Sequence, residues 1–425
     1  MNNYDVLSFY DLPEYELIKN KDENQRDIRL YNFEDVSLTG NSCHYPDTLL
    51  KVNSQKYLIL PTKEMTLSLQ KMSYYEENGM TFSNNSSNNI ETNLIKDELY
   101  FFIYNTENYY HFIYDTLPYL YCFLKLKKEK SNMKLLMNYN KNKLKLLPFV
   151  SESLQLLNIS ENDIIIHNEN NMYKKIYLSS SLTHNGLSNE PPRKEIFEIY
   201  GEMTRNALQI FNTSPPSVDI SHDNIYISRR TWVNEKISDN IGTNYTMRRK
   251  LINEDDLVYR LLQRDFKEIF GENYSMLEKI VLFSKAKTII GAIGGTICNC
   301  VFCDSAAVIA LVSPDFLNIN YRMKYLFNDN VILFDDTSLD CIDGEIPKNV
   351  RISVIDSESE YFNKLGEIIE KKDDKYLIKL ADNYIGWNEN EQYDTALLFE
   401  NQFKKLDNGI NSPWKVNIDK LIEIV

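Results

Sequence analysis

The chain has 425 residues, and 43% of them are hydrophobic, which is enough to build the cores of two or three domains and excludes a disordered protein. Its formal net charge is −14, so a protein that binds nucleic acid through a broad basic surface is excluded as well. An anionic ligand of such an acidic chain would need a local cluster of basic side chains.

Residues 1–90 predict irregular structure, because short apolar runs alternate there with polar stretches. The first 21 residues mix acids and lysines with aromatic residues, so we expect no signal peptide or membrane span and a cytoplasmic protein. From residue 95 strand and helix patterns alternate, which is typical of a mostly parallel sheet covered on both faces. The predicted strands are 99–104, 133–137, 163–167 and 175–179, and the predicted helices are 108–128, 146–157 and 193–211.

Residues 212–219, rich in Pro and Ser, predict a linker before a second alternating set. We therefore predict an α/β protein with two doubly wound, Rossmann-like domains at 1–215 and 220–375, and a tail at 376–425 that packs back across them. The strands predicted for the second set are 224–228, 287–290, 307–312, 330–334 and 350–355, and the helices are 254–264, 276–285 and 358–370.

His111 and Asp115 are the first candidates for chemistry. They stand four residues apart after a predicted buried strand, so on a helix they share one face. A histidine and a carboxylate placed in this way can remove a proton from a hydroxyl group. A polar stripe with a local His–Asp contact is the alternative interpretation.

Two adjacent arginines, Arg229 and Arg230, end the predicted strand 224–228. Guanidinium groups match phosphate oxygens in a fork geometry, and a strand end would hold them rigidly. Arg249 and Glu254 follow, the latter at the start of a predicted helix. A solvated cluster of surface charges is the alternative.

The segment 287–301 concentrates a scarce residue, since Gly291, Gly294 and Gly295 are three of only 13 glycines in the chain. An apolar run, a tight turn and then small residues beginning at Thr296 predict a strand followed by a helix whose free N–H groups face an anion. Close packing of a strand against a helix would also explain the glycines.

The sequence gives only weak support for a metal site. Asp335 and Asp336 follow a predicted strand, where paired acids can hold a divalent ion, but we interpret them as a solvated turn and expect no metal. Cys298, Cys300 and Cys303 cluster without a nearby histidine, so a zinc site lacks a fourth ligand, and we expect these thiols to be buried.

Taken in order, these motifs resemble glycosyltransferase family 61. The family typically carries an N-x-x-H-[FW]-x-x-D-x-L-P segment, a Y-I-S-R-R strand, an arginine followed by N-E at a helix start, and a G-x-H-G-A-G-L-T-N turn. The resemblance extends over roughly residues 95–425, including the helix before the turn and residues 414–419. The corresponding residues are Asn108, His111, Asp115 and Pro118; 226–230; Arg249, Asn253 and Glu254; and 291–299.

The chain departs from the family pattern in the glycine turn. Ile293 stands where the family has histidine, and Gly295 and Thr296 replace the following A-G. An isoleucine side chain cannot hydrogen-bond a diphosphate or a sugar hydroxyl, so one family contact is absent, whereas the backbone N–H groups of the turn remain.

The resemblance implies a GT-B fold, in which two Rossmann-like domains face each other across a cleft. It implies an inverting, metal-independent glycosyltransferase that moves a sugar from a nucleotide diphosphate sugar to a hydroxyl of a glycan or glycoconjugate, without a cofactor. Residues 1–215 would bind the acceptor and 220–375 the donor. We expect Asp115, assisted by His111, to be the base. The expected donor contacts are Arg229, Arg230, Arg249, Glu254, Glu278, Gly291, Gly294, Gly295 and Thr296.

Two other functions stay open. A catalytically degenerate relative that binds a nucleotide or glycan without turnover is suggested by Ile293. A pyruvyl transferase also uses two Rossmann-like halves, but the ordered motifs fit the glycosyltransferase better.

Overall fold

The structure is a computed structural model of the chain. It describes residues 5–8, 16–19, 27–39, 49–52, 55–60, 93–95, 98–103, 106, 108–137, 146–167, 171–183, 191–216, 220–230, 249–319, 321–327, 329–342, 346–381, 394–406 and 411–425.

The N-terminal residues form strands, so the prediction of irregular structure over 1–90 is wrong for the part that the structure describes. These strands are β1 (Asp5–Ser8), β2 (Glu16–Lys19), β3 (Ile28–Thr39), β4 (Leu49–Val52), β5 (Gln55–Leu60) and β6 (Asn93–Ile95). Strand β3 pairs antiparallel with residues 172–179, far along the chain. A local pattern does not reveal such a distant partner, which is why the sequence underpredicted this region. Residues 61–92 lie outside the described part.

The other strands of this first sheet are parallel and confirm the predicted alternation. They are β7 (Leu99–Ile103), β8 (Met133–Met137), β9 (Ile164–Ile166) and β10 (Asn171–Ser179). Their order is β10-β7-β8-β9, so β7 lies between the next strand in the chain and the last one. The carboxyl ends of β7 and β10 therefore meet where the strand order reverses, the place at which open α/β sheets bind ligands.

The second sheet is wholly parallel. Its strands are β11 (Asn224–Ile227), β12 (Lys267–Ile269), β13 (Thr288–Ala292), β14 (Ala307–Leu311) and β15 (Val331–Phe334). They follow the order β12-β11-β13-β14-β15, and each neighbouring pair is parallel. The sequence missed only the short, charged β12 in this sheet. The order reverses between β11 and β13, the strands that end at the paired arginines and at the glycine turn.

Helices cover both sheets and join them. The linker prediction at 212–219 is partly wrong, because residues 212 and 213 still belong to a helix, and 217–219 lie outside the described part. One apolar cluster includes side chains of both sheets, such as Phe102 and Ile289. The α-helices are α1 (Tyr109–His111), α2 (Leu120–Glu129), α3 (Pro148–Leu156), α4 (Ile196–Thr213), α5 (Glu254–Leu262), α6 (Met276–Lys285), α7 (Phe316–Ile319) and α8 (Ile418–Ile424). The 3-10 helices of the described residues are Leu117–Tyr119, Glu161–Asp163, Gly271–Asn273, Thr296–Phe302, Tyr321–Leu326 and Glu400–Gln402.

Residues 351–405 form a separate antiparallel sheet, so the predicted helix at 358–370 is wrong. Strands β20 (Leu365–Lys372) and β21 (Lys375–Ala381) pair as a hairpin across Asp373, whose φ of 56° suits a tight turn. Alternate side chains of β21, including Tyr376 and Ile378, are buried. The predicted boundary at 375 would cut this sheet. Strands β16 to β23 are Thr337–Leu339, Cys341–Ile342, Ile346–Pro347, Arg351–Val354, Leu365–Lys372, Lys375–Ala381, Asp394–Leu398 and Phe403–Lys405.

The last described residues return to the second sheet. Strand β24 (Trp414–Val416) pairs antiparallel with β16, and Trp414 also forms a bridge with Leu251. Helix α8 packs its buried Leu421 in the same apolar cluster as Leu257 of α5. The prediction places the tail 376–425 across both domains, whereas in the structure β21 to β23 belong to the separate antiparallel sheet and residues 414–422 pack against the second sheet. Among the helices of the described residues, none is both long and apolar enough to cross a membrane.

Candidate active site

The first motif begins with a capped turn after β7. The Asn108 side chain accepts a hydrogen bond from the backbone N–H of His111 at 3.2 Å and so starts α1. The chain then widens into a π-helical turn at Phe112–Thr116 and tightens into a 3-10 turn at Leu117–Tyr119 before α2 begins. A regular helix was predicted here. Pro118 lacks an N–H and interrupts the hydrogen bonding, and π turns of this kind are frequent at functional sites.

His111 and Asp115 are in direct contact, as their spacing predicts. The distance from His111 Nδ1 to Asp115 Oδ2 is 2.6 Å, and Thr183 Oγ1 donates to the other oxygen, Oδ1, at 3.3 Å. A carboxylate only accepts hydrogen bonds, so Nδ1 carries a proton and Nε2 is left as the acceptor of the ring. Asp115 is 4% exposed, whereas the His111 side chain is 30% exposed. The imidazole is therefore the more accessible group, and the carboxylate orients it.

Thr183 is a site residue that the sequence analysis missed. It follows β10, whose carboxyl end lies beside that of β7, the strand that leads to His111. The signal available in the sequence was the group Ser179, Ser180, Ser181 and Thr183 at the end of a predicted strand. Nothing in that group indicates that Asp115 is the partner of Thr183, because the two residues are 68 positions apart.

The glycine turn after β13 lies against Arg229. A Cβ atom at Gly294 would stand 2.9 Å from Arg229 Nη1, so the missing side chain leaves room for the guanidinium. At Gly295, which is exposed, a Cβ atom would meet nothing within 4 Å. Gly291 serves packing instead, since its Cβ would stand 2.9 Å from that of Ile227 on the neighbouring strand. The Thr296 side chain packs against Gly271.

Glu254, at the start of α5, is buried beneath the end of β11. Its Oε1 accepts hydrogen bonds from the Tyr226 hydroxyl at 2.8 Å and from the backbone N–H of Arg229 at 2.7 Å. Burial raises the pKa of the Glu254 carboxyl, although these donors and Arg229 oppose the shift. Glu254 is 1% exposed, so this geometry favours holding the strand end over direct contact with a donor.

Arg230 is engaged by acidic side chains. Its guanidinium makes a two-pronged contact with Glu268, at 3.0 Å from Nε and 2.7 Å from Nη2, and Nη1 lies 2.6 Å from Asp255. These bonds use the face that a phosphate would need. Of the two predicted arginines, Arg229 is thus the better placed for an anion.

Arg249 lies at the carboxyl edge of the second sheet. Its Cζ is 4.3 Å from the centre of the Phe316 ring, just beyond β14. The backbone of Arg249 is left-handed, with a φ of 54°. It is held on both sides, because the Arg249 N–H donates to the Asn411 carbonyl and the Trp414 indole N–H donates to the Arg249 carbonyl, each at 2.9 Å. Strain of this kind persists only where surrounding contacts fix it.

The remaining predicted donor contact, Glu278, caps α6. Its Oε2 accepts hydrogen bonds from the N–H and the hydroxyl of Ser275, both at 2.8 Å, and Ser275 Oγ accepts from the Glu278 N–H. This reciprocal arrangement is a capping box. It gives Glu278 a structural role in starting the helix.

The two halves of the site meet at the 3-10 helix 296–302. The Tyr109 hydroxyl donates to Asn299 Oδ1 at 2.7 Å, and the Tyr200 and Phe302 rings make an edge-to-face contact at 5.4 Å. Tyr109 lies two residues before His111, and the 3-10 helix directly follows Gly295. The structure therefore brings the His–Asp pair of the first sheet next to the glycine turn of the second.

The possible metal ligands do not gather into a site. Within the ranges that the structure describes, no group of three His, Cys, Asp or Glu residues could hold a metal ion. Asp336 forms an ion pair with Lys420 at 2.5 Å. Cys298 is fully buried, and burial raises the pKa of its thiol, as expected for packing. Ile293 is buried in the shared apolar cluster.

The architecture and this site define a mixed α/β protein with polar residues gathered at the switch points of two sheets, the first mixed and the second parallel. Residues 109–310 match the family model described as Glycosyltransferase 61. The resemblance to glycosyltransferase family 61 is thereby confirmed over the segment from α1 to β14, and it indicates glycosyltransferase activity. No curated protein matches the chain.

Proposed function

We propose that the protein is an inverting, metal-independent glycosyltransferase of the GT-B type. It moves a sugar from a nucleotide diphosphate sugar to a hydroxyl group of a glycan or glycoconjugate. The first sheet binds the acceptor and the second sheet the donor, with 351–405 as an additional unit. The family match supports the reaction class. The hydrogen bond from Tyr109, two residues before His111, to Asn299 of the helix that follows the glycine turn is the observation that carries the proposal, because it joins the His111–Asp115 segment to that turn.

In this mechanism the acceptor hydroxyl loses its proton to His111 Nε2. The acceptor oxygen then bonds to the anomeric carbon as the bond to the diphosphate breaks on the opposite face, which inverts the configuration. Asp115 stabilises the imidazolium that forms and fixes the ring, and Thr183 in turn orients Asp115. The proposed roles of His111 and Asp115 are thus the reverse of those expected with the family resemblance, because Asp115 is buried with both oxygens bonded.

The leaving diphosphate needs positive charge and hydrogen-bond donors. Arg229, over Gly294, supplies a guanidinium, and the open space in front of Gly295 gives a phosphate access to the backbone of the turn. Arg249 supplies a second cation at the same sheet edge. With two arginines in place, the proposal requires no divalent ion, and transfer should continue in EDTA.

The test compares variants of the His–Asp pair in binding and transfer. We expect His111→Ala to lower turnover by about 10²–10⁴-fold, the range for loss of a positioned base, with the affinity for nucleotide sugar unchanged. Added imidazole should restore part of the turnover, because it can accept the proton in the vacated space. His167→Asn, which alters a histidine bonded to Tyr173, serves as the control. Full turnover in His111→Ala would assign the base to Asp115. The same assignment would follow if acetate restored turnover in Asp115→Ala while imidazole did not restore it in His111→Ala.

A catalytically degenerate relative is the second candidate, and the burial of Ile293 is the observation that favours it. The side chain at this position faces the apolar cluster and offers no donor to a ligand. Binding of a nucleotide sugar by the wild-type protein, without transfer to any acceptor in a broad screen, would support this candidate.

A further inference from the structure

Lys279 is a buried lysine that the proposed reaction does not use. It lies on α6 and is 4% exposed. Within the described part of the chain its ammonium forms no ion pair, and Nζ lies 4.7 Å from the centre of the Tyr109 ring. A desolvated ammonium is attracted to the face of an aromatic ring. Its burial nevertheless costs free energy that a nonpolar residue would avoid.

Tyr109 connects Lys279 to both halves of the site. Its hydroxyl donates to Asn299 Oδ1, and the Asn299 amide in turn donates to the carbonyl of Thr296 at 2.7 Å. Asn299 is fully buried, so this link is shielded from water. On its other side, Tyr109 belongs to the short helix that ends at His111. A shift of the Tyr109 ring would therefore move His111 relative to the glycine turn.

Charged groups from each neighbouring element act on Lys279. Glu152 of α3, Glu272 of the 3-10 helix before α6 and Glu278 of α6 favour the ammonium. The Cys298 thiol is also near Lys279, but burial raises the pKa of this thiol and keeps it neutral. Burial of Lys279 outweighs the carboxylates and lowers its pKa to about 8. The cation is present at neutral pH and is lost under mildly alkaline conditions.

We infer that Lys279 is a positioning residue for glycosyl transfer: its cation holds the Tyr109 ring so that the hydroxyl stays on Asn299, which fixes His111 against the glycine turn. The catalytic consequence of this inference rests on the proposed function. Proteins keep costly arrangements of this kind where activity requires a fixed geometry. Lys279 does not itself touch the reacting atoms.

The first test measures geometry without relying on activity. Lys279→Met removes the charge and keeps most of the length of the side chain, whereas Lys279→Arg keeps the charge. Lys285→Met is a matched control, because Lys285 lies on the same helix with its Nζ 4.0 Å from the Phe211 ring, outside the site. We expect amide hydrogen exchange in residues 109–116 and 296–302 to be about tenfold faster in Lys279→Met at constant pH, and unchanged in Lys279→Arg and Lys285→Met.

The pH dependence of stability tests whether the charge is buried. Below pH 8 the lysine is protonated in both the folded and the unfolded chain, so folding carries the full cost of burial. Above pH 8 the folded protein releases the proton, while the unfolded chain keeps it up to an ordinary pKa of 10.5, so the cost declines. We expect Lys279→Met to melt at a higher temperature than wild type at pH 7, and the difference to shrink as the pH rises to 10.

The catalytic test uses the donor and acceptor for which wild-type transfer is found. Lys279→Met and Tyr109→Phe should each lower kcat about tenfold, with the donor Kd within twofold of wild type. The activity of the wild-type protein should fall near pH 8, and in Lys279→Arg this fall should occur at a higher pH. Tyr100→Phe, which removes a hydroxyl bonded to Glu98, is the control for Tyr109→Phe.

Two outcomes would overturn the inference: hydrogen exchange in Lys279→Met that equals that of Lys285→Met, or a wild-type kcat in Lys279→Met. A third outcome combines faster exchange in the two segments of Lys279→Met with no transfer by the wild-type protein from any donor. It would support the Lys279–Tyr109 contact and refute the proposed function instead. The two failures are therefore distinguishable.

Discussion

Arg229 and Arg230 are adjacent in the chain but have different surroundings. The first lies over Gly294 with its backbone held by Glu254, and burial lowers the pKa of its guanidinium. The second is fixed by Glu268 and Asp255. A partly desolvated guanidinium interacts more strongly with a phosphate than one in water does. At the scale of single residues, the anion site thus depends on which partner each arginine has.

This difference yields a prediction for the two arginines. Arg229→Ala should weaken the binding of UDP or GDP, whichever binds the wild type, by about tenfold or more, since a charge-assisted contact is worth about 1.5–3 kcal/mol. Arg230→Ala should leave that affinity within threefold and lower the free energy of unfolding by about 1–2 kcal/mol, because the buried side of its ion pair with Glu268 is lost. Isothermal titration and urea unfolding of both variants check this. Equal losses of affinity would restore Arg230 to the donor site.

The contacts of individual residues explain which parts of the site could be predicted. His111 and Asp115 touch because residues four positions apart lie on the same face of a helix, so the sequence alone indicated the pair. Which of the two is accessible depended on Thr183 and on burial, and neither is visible in the local pattern. Lys279 and Tyr109 are 170 residues apart, and their contact arises only when the two sheets pack together.

At the scale of elements, helix α6 shows how a motif can have two explanations. Glu278 was predicted as a donor contact from the family motif, whereas the structure gives it the N3 position of a capping box with Ser275. A capping carboxylate satisfies backbone N–H groups that would otherwise lack partners at the helix start. Because α6 carries Lys279, this cap also supports the segment behind the site.

A pair of variants separates the two explanations for Glu278. Glutamine can replace glutamate in a capping box, so Glu278→Gln should leave both the melting temperature and the nucleotide affinity close to those of wild type. Ser275→Ala should lower the free energy of unfolding by about 1 kcal/mol, with the affinity unchanged. Differential scanning calorimetry and nucleotide titration provide the measurements. A clear loss of affinity in Glu278→Gln would show that the carboxylate meets the donor after all.

The elements also differ in how well their sequences predicted them. Strands β13 and β14 are largely buried runs of apolar and small residues, and such runs indicate parallel strands wherever they occur. Residues 358–370 mix charged and apolar residues in a spacing that suits a helix. Residues 365–372 nevertheless form a strand that pairs with β21, because the hairpin buries Ile368 and Ile378 together. This tertiary contact outweighs the local helix propensity.

At the scale of the whole molecule, residues distant in sequence hold the segment that leads into α5. Trp414 is almost fully buried, pairs with Leu339 in a two-stranded ribbon, and donates its indole N–H to the Arg249 carbonyl. Val416 and Asn253 exchange two further hydrogen bonds between the same segments. The start of α5, and with it Glu254, is therefore held by the last strand.

This arrangement predicts coupling between the last strand and the donor site. Trp414→Phe keeps an aromatic ring but removes the indole donor, so the Arg249 carbonyl loses its partner and the left-handed turn is less well fixed. We expect the free energy of unfolding to fall by about 1–3 kcal/mol and nucleotide affinity to fall with it. Lys415→Ala, an exposed neighbour on the same strand, is the control. If Trp414→Phe loses stability and retains full affinity, Arg249 does not contribute to donor binding.

The same contact has a consequence for the timing of biosynthesis. Trp414 follows Arg249 by 165 residues, and a ribosome adds about 5–20 residues per second. For roughly 10–30 s after Arg249 has been synthesised, its backbone therefore has no tryptophan to hold it, and strands β12 to β15 of the second sheet are made during this interval. A nascent chain stalled before residue 411 would carry the parallel sheet without a complete anion site. Nucleotide binding would then begin only after Trp414 has left the ribosomal tunnel, and the nucleotide could not assist the earlier steps of folding.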